Sequence, residues 1–295
     1  GVQTCALPIL KKFNIKSILI SVLIISSQII FTNCTYADDI ADSNKNNSLK
    51  LIWSDEFDGD TINTNNWTYD IGKGNSGWGN NELQYYTNRN DNSRIENGNL
   101  IIEAKKENFG DSQYTSARLK SKGLQEFTYG RIEARIKLPS DQGIWPAFWM
   151  LGSSFNGDED WPYCGEIDIM ENVSKQKDIY GSIHWNNNGP NTFGSKLSIE
   201  NVEDYHVYAI EWTPSYIKWY VDDVLYNTAI IGPVPLNNSS YYIPNDTIKN
   251  NEAFHKPFFL LLNVAVGGNW PKSPDNTTKF PAKMYVDYVR VYESN

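Results

Sequence analysis

Past its first forty residues the 295-residue chain has no stretch whose apolar side chains recur with the period of a helix, and no segment repeats another. That excludes helical bundles and repeat architectures. Histidine and cysteine are scarce, three of each. Of the cysteines, Cys5 and Cys34 fall in the first forty residues, which leaves Cys164 alone in the body of the chain, so no intrachain disulfide is expected there. Cys164 has no histidine in its local sequence, the three being His184, His206 and His255, and it reads as small buried filler rather than as a nucleophile. Basic residues are also short, 26 against 35 acidic ones for a net charge of −9, so nucleic acid and anionic membranes are not expected partners.

The leading segment has its own character. Lys11, Lys12 and Lys16 precede an apolar run from Ile18 to Phe31, then Thr35-Tyr36-Ala37. This reads as a secretory signal over 1–37, with cleavage after Ala37 and a secreted or periplasmic product. The first ten residues, which begin without Met, do not have the form of a signal start. The apolar run falls short of the ~20 residues a membrane span needs, and a lipid anchor on Cys34 is the alternative reading. Cleavage would remove three lysines and no acid, taking the charge from −9 to −12. Residues 38–49, rich in Asp, Asn, Ser and Lys, read as a flexible leader, and 50–295 as one domain.

What is abundant is aromatic and β-branched: 10 Trp, 18 Tyr and 12 Phe, enough for a large core. Strand signals recur at Leu51–Phe57, Leu100–Lys105, Tyr129–Leu138, Trp145–Leu151, Glu166–Val173, Ile179–Trp185, Tyr205–Trp212, Tyr216–Val221, Phe258–Val266 and Met284–Tyr292. Asn97-Gly98 and Asp222-Asp223 are hairpin signals between such segments. Many strands without helices predict an all-β chain, a two-sheet sandwich or a barrel. The irregular segment 232–256 is expected as a surface loop near a cleft rim.

Chemistry concentrates in Gly165-Glu166-Ile167-Asp168-Ile169-Met170-Glu171. A helix cannot gather the three acids, because Glu166 and Glu171 would lie roughly 140° apart at ~100° per residue. On a strand Glu166 and Asp168 share a face while Glu171 lands on the apolar one. A β-bulge at Ile169 or Met170 returns Glu171 to the acidic face. One carboxylate could then attack an anomeric carbon or activate water while a second, kept protonated, protonates the leaving oxygen. Asp168 between them would raise a neighbour's pKa. A solvated acidic face on an amphipathic strand is the bland alternative.

Trp145, Ala147 and Trp149 share one strand face, opposite Phe148 and Met150, and offer indoles on which sugar rings can stack. His184 faces away from Ile183 and Trp185 and shares a face with Ser182. Asn80 to Tyr86 carries amides and phenols suited to hydroxyl recognition, and Gly267-Gly268-Asn269-Trp270-Pro271 sets a Trp on a glycine-rich turn.

Taken together, Trp53-Ser54-Asp55-Glu56-Phe57, Gly143 to Leu151, Gly165 to Glu171 and Leu262 to Pro271 resemble glycoside hydrolase family 16, the bacterial laminarinase (endo-β-1,3-glucanase) group, from about Leu51 to the end. The Glu-x-Asp-x-x-Glu spacing is shared with agarases and κ-carrageenases, whereas lichenases resemble a form one residue shorter. The resemblance implies a β-jelly roll with a concave cleft and retention of configuration. It implies Glu166 as nucleophile, Asp168 as the residue that holds and tunes the pair, and Glu171 as acid/base. Trp145, Trp149, His184, Asn81 and Trp270 would contact sugar. No catalytic cofactor is implied, but a structural calcium is, on Glu56, Gly98 and Asp287. A monomer acting on β-glucan is expected, with β-1,3-1,4-glucan or a marine galactan as alternative substrates and a non-catalytic glucan-recognition domain as the alternative class. Along a bulged strand the two Glu Cα atoms would lie ~13 Å apart, so their side chains must lean together to reach the ~5 to 5.5 Å carboxyl spacing of a retaining enzyme.

Overall fold

The computed structural model describes residues 49–157, 160–237 and 240–293. The expected signal and all but the last residue of the expected leader lie outside the described residues. The remainder is a two-sheet β-jelly roll. Its 10-stranded back sheet runs Val224–Ile230, Tyr216–Val221, Tyr205–Trp212, Gly130–Lys137, Ala282–Glu293, Asn99–Phe109, Ser112–Ser116 and Gln84–Tyr86, with Lys50–Asp55 on Ala282–Glu293 and Ser93–Glu96 on Asn99–Phe109. The 8-stranded cleft sheet runs Pro190–Ser198, Asp178–Asn186, Glu166–Glu171, Ile144–Gly152, Phe258–Val266, Arg118–Lys120 and Thr68–Asp70, with Glu126–Phe127 on Phe258–Val266.

Alternation decides which face each strand buries. In Ile144–Gly152, Phe148 and Met150 enter the core while Trp145, Ala147 and Trp149 face the cleft. In Phe258–Val266 every residue is buried, yet Leu260, Leu262 and Val264 point into the core and Leu261, Asn263 and Ala265 form the cleft floor. The core between the sheets is continuous, and each fully buried Leu, Ile or Phe in it contributes roughly 1.5–3 kcal/mol. Both hairpin signals are type I′ turns with positive φ at their two central residues, Asn97 at 53° with Gly98 at 70° and Asp222 at 47° with Asp223 at 62°.

Composition hid several strands. Pro190–Ser198 is rich in Asn, Thr, Ser and Gly and stays half exposed because it is the sheet edge, with Phe193 and Leu197 packed against the core. The segment 232–256 is less irregular than its sequence suggests: Val234–Asn237 pairs with Ser240–Tyr242, and Glu252–His255 forms a 3₁₀ turn whose Ala253 and Phe254 are buried. It also does not reach the cleft, since none of its described residues lines it. Phe254 packs on Trp185, and Asn250 donates to Asn187 at 2.6 Å, so the segment serves the core and a strand end.

Candidate active site

The strand Glu166–Glu171 carries the bulge. Opposite Ile144–Gly152, Asp168 pairs with Trp149 and Met170 with Phe148, which leaves Ile169 unmatched. On the other side Asp168 pairs with Ser182 and Glu171 with Tyr180, three steps against two. Ile169 and Met170 therefore both enter the core, and Glu166, Asp168 and Glu171 all face the cleft. The physical reason is the adjacent apolar pair, since a regular strand would send one of the two into water or Glu171 into the core.

Each acid has a distinct partner. Trp161 Nε1 donates to Glu166 Oε2 at 2.8 Å, and Trp145 Nε1 to Glu171 Oε1 at 2.9 Å. Asp168 Oδ2 accepts from Ser182 Oγ at 2.6 Å and lies 3.0 Å from His184 Nε2. His184 Nε2 is 4.0 Å from Glu166 Oε1, and its Nδ1 meets Thr192 Oγ1 at 2.8 Å. Burial, then the charge of Asp168, pushes Glu166 up to about 8 and holds Glu171 well above the usual carboxylate range. For His184 burial works against the imidazolium, but the hydrogen bond and charge of Asp168, with Glu166 and Glu171 beyond, win and raise it to about 9. The site can thus keep one carboxyl protonated beside a carboxylate near neutral pH, with a cationic imidazole over Asp168.

Around the acids lies a cleft of about 1280 Å³. Two strands extend it on the His184 side and four on the Trp149 side, so it is longer toward Asn263 and Arg118. Trp270 crosses Trp145 edge-on at 5.5 Å and Tyr180 at 4.9 Å, closing one wall. Trp149 Nε1 donates to Asn263 Oδ1 at 2.7 Å, and the Arg118 guanidinium is held between the rings of Trp149 and Trp78, 4.6 and 4.8 Å from their centroids. Asp70 pairs with Arg118 at 3.0 Å, and the buried Glu82 carboxylate accepts from Gln84 at 2.6 Å and Tyr86 at 3.2 Å.

Of the residues singled out in the sequence, Trp145, Trp149, His184 and Trp270 line the cleft with the three acids. Asn81 does not. Its amide donates to Asn269 at 3.0 Å, while Asn80 and Glu82 line the cleft, because Trp78, Gly79 and Asn81 all take left-handed backbone and turn the loop over. Trp161, Tyr180 and Arg118 were not read from the sequence. Tyr180 could have been, two residues before Ser182 on the strand of His184, whereas Trp161 sits on a loop with no periodicity to betray it. Cys164 is buried with its thiol pushed up to about 12, by burial and then by Glu166, which leaves it inert.

The three calcium candidates meet along one edge by register. Asp55 pairs with Val289 and Leu100 with Val286, and Asp287 sits at a bulge between Val286 and Tyr288. Both carboxylates are taken by guanidinium groups, however: Arg290 holds Glu56 at 3.0 and 2.8 Å and Arg135 holds Asp287 at 2.8 Å. A cation there would have to displace both arginines.

Comparison with known proteins bears directly on this site. Residues 80–290 match the sequence family Glycosyl hydrolases family 16. The chain is 43% identical over 265 residues to the beta-glucanase of Rhodothermus marinus, covering 85% of this chain and 87% of that one. It is 40% identical over 247 residues to the clotting factor G alpha subunit of Tachypleus tridentatus, covering 83% of this chain but only 34% of that longer protein. Among solved structures, the laminarinase catalytic domain of Thermotoga maritima MSB8 superposes with a TM-score of 0.71 at 41% identity, over 84% of this chain and 99% of that domain.

Proposed function

The chain belongs to glycosyl hydrolases family 16, and from that membership and the geometry of its cleft we propose that it is a retaining endo-β-1,3-glucanase acting on laminarin-like glucans. The observation that carries the reading is the bulged strand that sets Glu166 and Glu171 on one cleft face with Asp168 between them. In the first step Glu166 attacks the anomeric carbon while Glu171 passes its proton to the departing oxygen. In the second, Glu171 takes a proton from water, which attacks the same carbon and releases Glu166. Trp161 and Trp145 orient the two carboxyls, and Asp168, held by Ser182 and His184, raises both, so the reacting form is the one in which Glu166 has given up its proton and Glu171 still holds one. An acid strand with neighbours on both sides lets a chain lie across it, which supports internal cleavage.

Exposed cleft aromatics suit stacking against uncharged sugar faces. Lys120 is paired with Asp70 and Lys196 with Asp178, while Lys122 donates to the carbonyl of Phe155, so most of the cleft's lysine charge is neutralised within the protein, which disfavours a sulfated galactan. Secretion by the leading segment, or a lipid on Cys34, and a monomeric state belong to the same proposal. So does a calcium bound at the Glu56, Gly98 and Asp287 edge, supported by the register and by the bulge at Asp287. Calcium occupancy predicts a higher Tm in calcium than in EDTA, whereas equal values mean that the arginine pairs hold the edge alone.

Purified protein incubated with laminarin, lichenan, agarose and κ-carrageenan tests the function. Short oligosaccharides from laminarin, absent with Glu166→Gln, are expected. Release from agarose or carrageenan alone would overturn the substrate, and binding without products from any of the four would return the recognition-domain reading.

A further inference from the structure

A bulge weakens the ladder at the residue where it occurs, so something other than the strand's own neighbours must keep the catalytic bulge from relaxing. The residue facing the Ile169-Met170 pair is Gly181, which lies between Ser182 opposite Asp168 and Tyr180 opposite Glu171. From the back sheet, Trp219 Nε1 donates to the carbonyl of Asp168 at 2.7 Å, and Asn227 Nδ2 donates to the carbonyl of Gly181 at 3.3 Å. One bond therefore reaches each strand of the distorted pair from beneath. Trp219 and Asn227 are themselves direct cross-strand partners, and next to them the back sheet carries its own register break, between Trp219 and Tyr220. That second bulge turns both Tyr226 and Asn227 inward. Asn227 is 8% exposed, Trp219 is fully buried, and the Tyr226 hydroxyl packs on Gly181 with no hydrogen-bond partner among the described residues. A side chain at 181 would close this approach: a Cβ there would stand 2.8 Å from Trp219 Nε1 and nearer still to Trp219 Cδ1 and the Tyr226 hydroxyl.

We propose that Trp219 and Asn227 are positioning residues that clamp the catalytic bulge through the carbonyls of Asp168 and Gly181, with Gly181 as the gap that admits them. They touch no substrate, and their action is on where Asp168 and Glu171 stand. The inference rests on reading Glu166 and Glu171 as the reacting pair, but part of its test does not.

The experiment uses the whole chain as Trp219→Phe, Asn227→Leu and Gly181→Ala. The last two keep the test open where the loss of an indole prevents folding. In each folded variant the titration of His184 is followed by NMR, with only three histidines to resolve. The charged groups that face this ring are Asp168, Glu166 and Glu171. Displacement of Asp168 lowers the His184 midpoint toward that of free imidazole. On laminarin, kcat is expected to fall about tenfold or more, the scale of a misplaced reacting group, with KM held within about twofold. The alkaline limb of the rate profile is expected to move to lower pH as the charge of Asp168 leaves Glu171. Folded variants with wild-type kcat and an unmoved His184 midpoint, changed only in Tm, would overturn the clamp. A wild-type protein inert on laminarin would sink the glucanase reading instead and leave the His184 midpoint to decide the clamp.

Discussion

Glu166 and Glu171 are the same side chain in two settings, and their tasks separate through their neighbours. Burial and then the charge of Asp168 raise both and the charge of His184 lowers both; what differs is the indole on each, Trp161 on Glu166 and Trp145 on Glu171, and the imidazole 4.0 Å from Glu166. Replacing Glu171 with Ala should lower turnover of laminarin about 10²–10⁴-fold yet spare hydrolysis of an aryl glucoside whose leaving group needs no proton. Equal losses on both substrates would contradict the acid role. Stability gives an independent check. Glu166 is raised from 4.5 to about 8, so the folded chain holds a proton there that the unfolded chain has lost, and its stability falls as pH rises through that window. Glu166→Gln removes the penalty. Its Tm should exceed that of wild type above pH 8, with the gap closing toward pH 4.5, and a gap that widens on acidification would contradict the burial argument. His184 was legible because Ile183 and Trp185 fix its face. Trp161 was not, since a loop residue is placed by tertiary packing that no local pattern encodes.

Strand Glu166–Glu171 could be read in advance because its hydrophobic count was wrong by one. Two adjacent apolar residues in an alternating acidic strand require a bulge, and Ile169 is the unmatched residue. Deleting Ile169 yields an unbulged Glu-x-Asp-x-Glu strand with all three acids still on the cleft face, and measurable laminarin hydrolysis should survive. Inserting Ala between Met170 and Glu171 turns Glu171 toward the core, and activity should vanish with a large drop in Tm, since an unpaired buried carboxylate costs several kcal/mol. If the two variants behave alike, the acids are not held by the register. The edge strand Pro190–Ser198 and the short Arg118–Lys120 escaped notice because their apolar faces are thin, Phe193 and Leu197 on the first and Leu119 on the second. With Arg118–Lys120 went Arg118, whose seat between two indoles joins elements far apart in sequence.

As a whole the molecule pairs an acidic surface with a cleft for an uncharged polymer, so association owes little to long-range steering. kcat/KM on laminarin should change less than about twofold between low salt and 0.5 M NaCl, and a steep decline would reveal a charged substrate. The sheet faces followed from alternation, which left a two-sheet sandwich or a barrel open, and the family resemblance narrowed these to the jelly roll. The segment 232–256 followed from neither, because length marked it as functional while Phe254 was taking it into the core beside Trp185. The central claim is that two carboxyls on one bulged strand act by double displacement, and the stereochemistry of the first product tests it most directly. Laminarin hydrolysis followed by ¹H NMR should give the β-anomer first, with the α-anomer appearing only as the sugar mutarotates, and no signal with Glu166→Gln. An α-anomer first would mean that a water, not Glu166, attacks the anomeric carbon, and would contradict the account.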